Sequence, residues 1–343
     1  MSFSTGTKNT DKEEPSIHHW FNKISISGLI EAEAGYEKYN PDAAGESGEE
    51  TSDIALSTVE LGLDVDFIDH VGGHVLVLWE EDNEHIDVDE GYISLTGTED
   101  MPLYLHAGKQ YVPFGSMDTY FISDPLPLEL GETRESALLT GYHKGLCNVF
   151  CGGFNGDVNK IGKNDHINSF FGGADFSLPD DDSREWNMTA GVAYLSNIAD
   201  SDGLSEANDI DGDGSPDGVR DYVDGISAYI YLDLIHSIYC TAECVCALDK
   251  FNAGELNFGD DKERLKPCAW NFEIAYVTPA DIGFGVKHEG SNDCHDFLPE
   301  SRYGGIAFCS PFENTYLGIE YLYQEFDNDD TSEVVTAQLA FEF

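Results

Sequence analysis

The sequence predicts an all-β chain, an antiparallel up-and-down transmembrane β-barrel of about sixteen strands, apolar outside and acidic inside. Three observations predict it. In Ser332–Phe343, Val335, Ala337, Leu339, Phe341 and Phe343 share one face, while Thr336, Gln338, Ala340 and Glu342 share the other. Such a period of two marks a strand with one apolar and one wet side, and a chain stopping at its aromatic end has the form of a barrel whose last strand closes against its first. The same alternation recurs along the chain. Finally, the connections alternate between short and long, as they do at the two rims of a membrane barrel.

The first strand is read in Ile24, Ile26, Ile30, Ala32, Ala34 and Tyr36, alternating against Ser25, Ser27, Glu31 and Glu33. After an acidic loop at Asn40–Thr51, Val59, Leu61, Leu63, Val65 and Phe67 oppose Thr58, Glu60, Asp64 and Asp66. A turn at Asp69–Gly73 leads to Val75, Val77 and Trp79, followed by strands near 88–96 and 103–112. Further alternating segments lie near 130–142, 145–156, 167–178, 185–197, 222–236, 238–250, 268–277, 281–290, 301–309, 315–326 and 332–343. Two are especially clear: Trp270, Phe272, Ile274 and Tyr276 against Asn271, Glu273 and Ala275, and Leu317, Ile319, Tyr321 and Tyr323 against Gly318, Glu320 and Gln324. Short turns (Leu234–Ile238, Val277–Asp281, Cys309–Phe312) alternate with long polar loops (Ala199–Asp221, Asn252–Lys266, Gly290–Glu300). No helical period of useful length and no internal repeat stand out. The expected organisation is a polar segment over 1–19 and one barrel over 20–343.

Seventeen basic against sixty-six acidic residues give a net charge of −49, which excludes nucleic acid as a partner. In a barrel these acids have places in the lumen, the external loops and sites for divalent cations. No run of eighteen apolar residues exists, so no transmembrane helix is expected; the signal of a membrane barrel is instead spread over many short strands. Met1–Pro15 is polar and carries no apolar h-region, so an outer-membrane destination implies numbering that starts on the mature chain. Among eight cysteines, Cys147 and Cys151, then Cys240, Cys244 and Cys246, are evenly spaced and so share strand faces with apolar neighbours. They read as small apolar side chains, because zinc needs matched Cys/His pairs and the Cys294–His295 pair is isolated.

Chemistry concentrates in two places. Pro113, Pro125 and Pro127 remove ladder donors, so Gly115–Leu128 should leave the wall and fold into the lumen. Lys109 and Arg134 on the flanking strands are expected to form a basic patch opposite Asp124, Glu129 and Glu132, setting a field across a constriction. Asp209, Asp211, Asp213 and Asp217, with Gly214 at the sixth position, have the spacing of a calcium loop, although Arg220 stands where a bidentate Glu is normal. Calcium there is one reading and an Asp/Gly-rich loop the other; no cofactor is required. There is no G-x-S-x-G, H-E-x-x-H or P-loop, and His18, His19, His70, His74, His85 and His106 are scattered, so the chain does not read as an enzyme.

Segments His19–Glu31, Gly72–Glu81, Asp87–Gly91, Ala107–Gly115 and Ser123–Ser136 resemble the LbtU-type (legiobactin) siderophore porin family. The likeness covers nearly the whole chain from Trp20 and is densest over Gly108–Ser136. It implies a sixteen-stranded barrel in the bacterial outer membrane, in contact with its lipid and taking up an iron–siderophore complex, as a monomer or a trimer. Two other readings stay open: a general cation-preferring diffusion porin, and a calcium-binding surface β-protein. Asp175, Asp233 and His236 depart from lipid-clean strands and are harmless only if they face the lumen.

Overall fold

The structure, a computed structural model, describes residues 24–42, 47–81, 83–163, 166–179, 184–259 and 263–343. The expected segment over 1–19 lies outside them. Sixteen strands follow one another: β1 (Ile24–Asn40), β2 (Glu49–Ile68), β3 (Val71–Glu80), β4 (Asn83–Thr98), β5 (Met101–Tyr111), β6 (Arg134–Lys144), β7 (Cys147–Phe154) and β8 (Ser169–Ser177). Then come β9 (Trp186–Leu195), β10 (Gly225–Leu234), β11 (Ile238–Ala247), β12 (Cys268–Val277), β13 (Ile282–Asn292), β14 (Ser301–Cys309), β15 (Thr315–Glu325) and β16 (Thr331–Glu342). Each pairs antiparallel with its chain neighbours, and β1 pairs with β16, closing the sheet. Closure satisfies every edge, the only way a sheet can cross hydrocarbon without bare N–H and C=O groups.

The seam shows how tightly the last residue is held. Gly28 N–H donates to the Phe343 carbonyl at 3.0 Å, and Phe343 N–H donates to the Gly28 carbonyl at 3.1 Å. A Cβ on Gly28 would stand 2.4 Å from the Phe343 ring, so glycine at this position makes room for the terminal aromatic. β1 and β2 run on to Asn40 and back to Glu49, beyond the windows of clean alternation, and pair with each other over that polar length.

Alternation sorts the side chains as chemistry requires. On the outward face of the β12–β16 wall, Ile274, Val286, Ile319 and Leu339 form an exposed apolar middle. Towards the short-turn rim come Tyr276, Phe284, Phe341 and Phe343; towards the long-loop rim come Trp270, Tyr303 and Tyr321. His288 stacks on Tyr303 at 4.5 Å and meets the Trp270 edge at 4.7 Å. An exposed apolar band between two aromatic belts suits a bilayer, not water. Asp175 and Asp233 fall on the inward face; Asp175 accepts from Tyr229 Oη at 2.8 Å, and Asp233 meets His236 Nδ1 at 3.0 Å, at the start of the β10–β11 turn.

The cysteines behave largely as small outward-facing side chains: Cys147 and Cys151 are exposed, as is Val149 between them. Cys246 and Cys268, directly opposite each other on β11 and β12, form a disulfide. Neighbouring strands thus supply the partner that spacing within one strand could not show.

Among the described residues the apolar core joins the long loops to the inward face of the strands that carry them. Phe154, Val158, Leu195, Ile198, Leu204, Val219, Phe251, Leu256 and Phe258 are all fully buried there. Two six-residue helices contribute: α1 (Leu126–Gly131) in the β5–β6 loop and α2 (Asp202–Ala207) in the β9–β10 loop. Pro125 precedes α1 and Pro127 sits in its first turn, where a missing N–H costs no helical bond.

The lipid face makes a first prediction. Ile319→Lys, at the middle of β15, should destabilise the barrel in bilayers by about 2–4 kcal/mol. Thr336→Lys, beside it on the lumen face of β16, should cost less than about 1 kcal/mol, because the ammonium stays in water. Urea unfolding in lipid vesicles checks the difference; equal costs would reverse the facing assigned to β15 and β16.

Candidate functional site

The β5–β6 loop (112–133) leaves the wall between β5 and β6 and crosses the lumen to β11–β15. Backbone N–H groups need acceptors wherever they are taken out of water, and the opposite wall supplies them as carboxylates. Glu243 of β11 accepts from Ser116 N–H at 2.8 Å and Met117 N–H at 2.9 Å. Glu273 of β12 accepts from Thr119 Oγ1 at 2.6 Å and Tyr120 N–H at 3.0 Å. Glu320 of β15 accepts from Ile122 N–H at 2.8 Å and Ser123 N–H at 3.3 Å. Glu289 of β13 accepts from Leu126 N–H at 3.0 Å, at the start of α1.

Beneath this loop two basic side chains are enclosed. Glu289, with no exposed side-chain surface, takes Arg302 Nε at 2.6 Å and Lys287 Nζ at 3.1 Å. Lys287 also donates to Ser123 Oγ at 2.7 Å and lies over the Phe121 ring; Arg302 donates to the Asp124 carbonyl at 2.5 Å. Four wall glutamates and two wall cations therefore hold Ser116–Leu126 from one side.

On the other side of the loop the lumen stays open. A cavity of about 620 Å³ lies between the loop and β1–β3 with β14–β16. Seven acids line it: Glu31, Glu33, Glu60, Glu80, Glu342, Asp124 and Glu132. Among the described residues none of its lining side chains is basic. Burial, with the nearby charges of Asp202 and Asp124, pushes Glu132 up to about 7, and burial also raises Asp124 and Glu129 above the usual carboxylate range.

The residues singled out in the sequence are distributed as follows. Asp124 and Glu132 share the cavity, and Glu129 lies half-buried on α1. Lys109 Nζ donates to the Val88 carbonyl at 3.0 Å, and Arg134 pairs with Asp89, which also accepts from Tyr111 Oη at 3.2 Å. The cations beside Asp124 are Lys287 and Arg302. Lys109 and Arg134 thus clasp the β4 bulge at the root of the loop, and the basic groups across from the acids come from β13 and β14. In the β9–β10 loop, Asp209, Asp211 and Asp217 each bring one oxygen within 4.8 Å of the others, and Asp213 stands outside that group. Asp209 accepts from the N–H groups of Gly212, Asp213 and Gly214, which shapes the turn.

Glu273 and Glu320 were legible as inward-facing acids but not as loop anchors, and Glu243 and Glu289 were not singled out. Lys287 and Arg302 were not singled out; the one signal for them was a basic residue at an inward position beside an inward acid.

No family model matches the chain. A UPF0422 protein of Coxiella burnetii is 26% identical over 314 residues, covering 87% of this chain and 63% of that protein. UPF0422 proteins of Legionella pneumophila are 25% identical, covering 87% of this chain and 58% of theirs. The chain thus spans about three fifths of the length of these curated relatives. Among solved structures it is similar to Salmonella typhi OmpF (TM-score 0.61, 11% identity, 93% of this chain and 97% of that one). Pseudomonas putida OprB (TM-score 0.62, 11%, 96% of each) and an anion-selective porin from Comamonas acidovorans (TM-score 0.62, 11%, 93% and 99%) are similar as well. The fold is a porin-like sixteen-stranded barrel.

Removing the anchor at the centre of the network tests it. Glu289→Ala would leave Arg302 and Lys287 buried without the carboxylate they are bonded to, at a cost of about 3–5 kcal/mol. The expected outcome is a lower urea midpoint for the refolded barrel and flickering single-channel current as the loop loses its hold. An unchanged midpoint and a quiet current would show that the loop is held elsewhere.

Proposed function

We propose that the chain is an outer-membrane diffusion channel that prefers cations, its passage running between the inward loop and the β1–β3 wall. The observation that carries this reading is the lining: seven carboxylates and, among the described residues, no basic side chain around a cavity of about 620 Å³. A narrow passage with low-dielectric walls focuses the field of its fixed charges, drawing cations in and turning anions away. The apolar outward band and the alternation of short turns and long loops support placement in an outer membrane. No step of bond making or breaking is suggested by the cavity, whose carboxylates line water rather than converge on one reacting atom.

An iron–siderophore complex as the natural solute rests on the family resemblance. If it is the solute, the lining favours a chelate that presents amines or a net positive charge over an anionic one, because every fixed charge it meets in the cavity is a carboxylate.

Selectivity is read directly in planar bilayers. Under a KCl gradient the reversal potential should show potassium favoured over chloride. The triple change Glu31→Gln, Glu33→Gln, Glu60→Gln should cut that preference severalfold without closing the pore. Equal permeation of both ions by the unaltered channel would sink the proposal.

Acidity offers an independent check. Glu132 ionises only as pH rises through about 7, because burial and neighbouring acids raise it, so its negative charge is absent below that value and present above. Cation preference should therefore increase as pH rises through about 7, and Glu132→Gln should flatten that step. The comparison of reversal potentials on either side of the step measures it.

A further inference from the structure

Beside the acids of β16, β1 and β2 the lumen carries an arc of aromatic rings. Tyr120, from the inward loop, lies 5.3 Å from Tyr239 of β11 and 6.5 Å from Phe308 of β14, and Phe308 lies 5.6 Å from Tyr316 of β15. All four are partly exposed. Tyr120, Phe308 and Tyr316 border the acidic cavity, and Tyr120 and Tyr239 border a second cavity of about 380 Å³. Register brings acid and ring to one level: Tyr316 pairs with Ala340, and Ala340 pairs with Glu31. A solute in the passage thus meets carboxylates and rings side by side, one strand apart.

We infer that this passage selects organic cations carrying a flat apolar body, the ammonium meeting Glu31 and its neighbours while the body slides over the Tyr120–Phe308–Tyr316 rings. The inference rests on the cation-channel reading and names its solute class. Both halves of the recognition are needed. Carboxylates alone draw any cation, and a small inorganic one gains nothing from the rings beyond weak attraction to their faces. A quaternary ammonium joined to an aromatic ring gains from both, through ring stacking and through cation–π contact. An aromatic anion gains the stacking but is repelled by the wall. The arc spans β11 to β15 and includes a side chain of the loop that narrows the lumen, so a solute of this kind meets it at the narrow part of its path.

The test uses the full chain in planar bilayers, with block of the KCl current as readout. Benzyltrimethylammonium, butyltrimethylammonium and benzenesulfonate are added separately. Benzyltrimethylammonium should half-block at a concentration lower than butyltrimethylammonium by roughly two- to fivefold, the worth of a ring contact at a partly wet site. Phe308→Leu, which keeps the volume apolar but removes the ring, should bring the two cations towards equality. Equal block by both cations in the unaltered channel, or a preference that Phe308→Leu and Tyr316→Leu leave intact, would overturn this inference while leaving the cation channel standing. Block by benzenesulfonate as strong as by either cation would overturn the cation-channel reading itself, and this inference with it.

Discussion

A loop that enters the lumen must find acceptors for its own backbone, and that constraint organises the whole barrel. Ser116, Met117, Tyr120, Ile122, Ser123 and Leu126 all give their N–H groups to glutamates of the far wall. Charge-assisted bonds of this kind are stronger than neutral ones, and a fixed anion is a better partner than water for a chain segment without regular structure. The consequence is a lopsided lumen. The β11–β15 wall is filled by the loop, and the β1–β3 side is left open as a cavity.

The same arrangement divides the chain's acids into two populations. Glu243, Glu273, Glu289 and Glu320 are buried and spent on the loop. Glu31, Glu33, Glu60, Glu80 and Glu342 face open water across from it. Lys287 and Arg302 belong with the first group. Removing them from water is costly, and Glu289 with the carbonyls of Ser123 and Asp124 offsets that cost through several hydrogen bonds. Enclosed there, their charge is met at short range by Glu289, and of the acids lining the cavity it acts on Asp124. A formal charge of −49 therefore says little about selectivity until its members are assigned to one wall or the other.

The strands were legible because a sheet with water on one face and hydrocarbon on the other must alternate, residue by residue, wherever it crosses the bilayer. Ile274 and Glu273 are unambiguous for that reason. The polar ends of β1 and β2 were not legible, since beyond the bilayer the outward face has no need of apolar side chains, and pairing alone carries the strands to Asn40 and back to Glu49. In the site, the prolines at 113, 125 and 127 marked where the ladder stops, because proline has no hydrogen to give it. They carried no information about where the released segment would dock. Docking depends on carboxylates more than a hundred residues away, such as Glu243 for Ser116, and one sequence shows the face a side chain takes but not its partner across a lumen. The Cys246–Cys268 disulfide was hidden for the same reason.

Fold and selectivity separate cleanly in a barrel of this kind. The wall is set by backbone pairing and by outward apolar side chains, so inward positions are free to vary without loss of closure. A chain sharing only 11% of its residues with an anion-selective porin can match its fold at a TM-score of 0.62. The character of the lumen is decided by a handful of inward side chains. In this chain the cavity is lined by carboxylates of β1, β2, β3, β16 and the loop and by rings on β14, β15 and the loop. Which of them stay open follows from the loop's choice of wall: docked on β1–β3 instead, it would have covered the open acids and bared Glu243, Glu273 and Glu320. The anchoring glutamates are thus also what determines which charges the cavity presents.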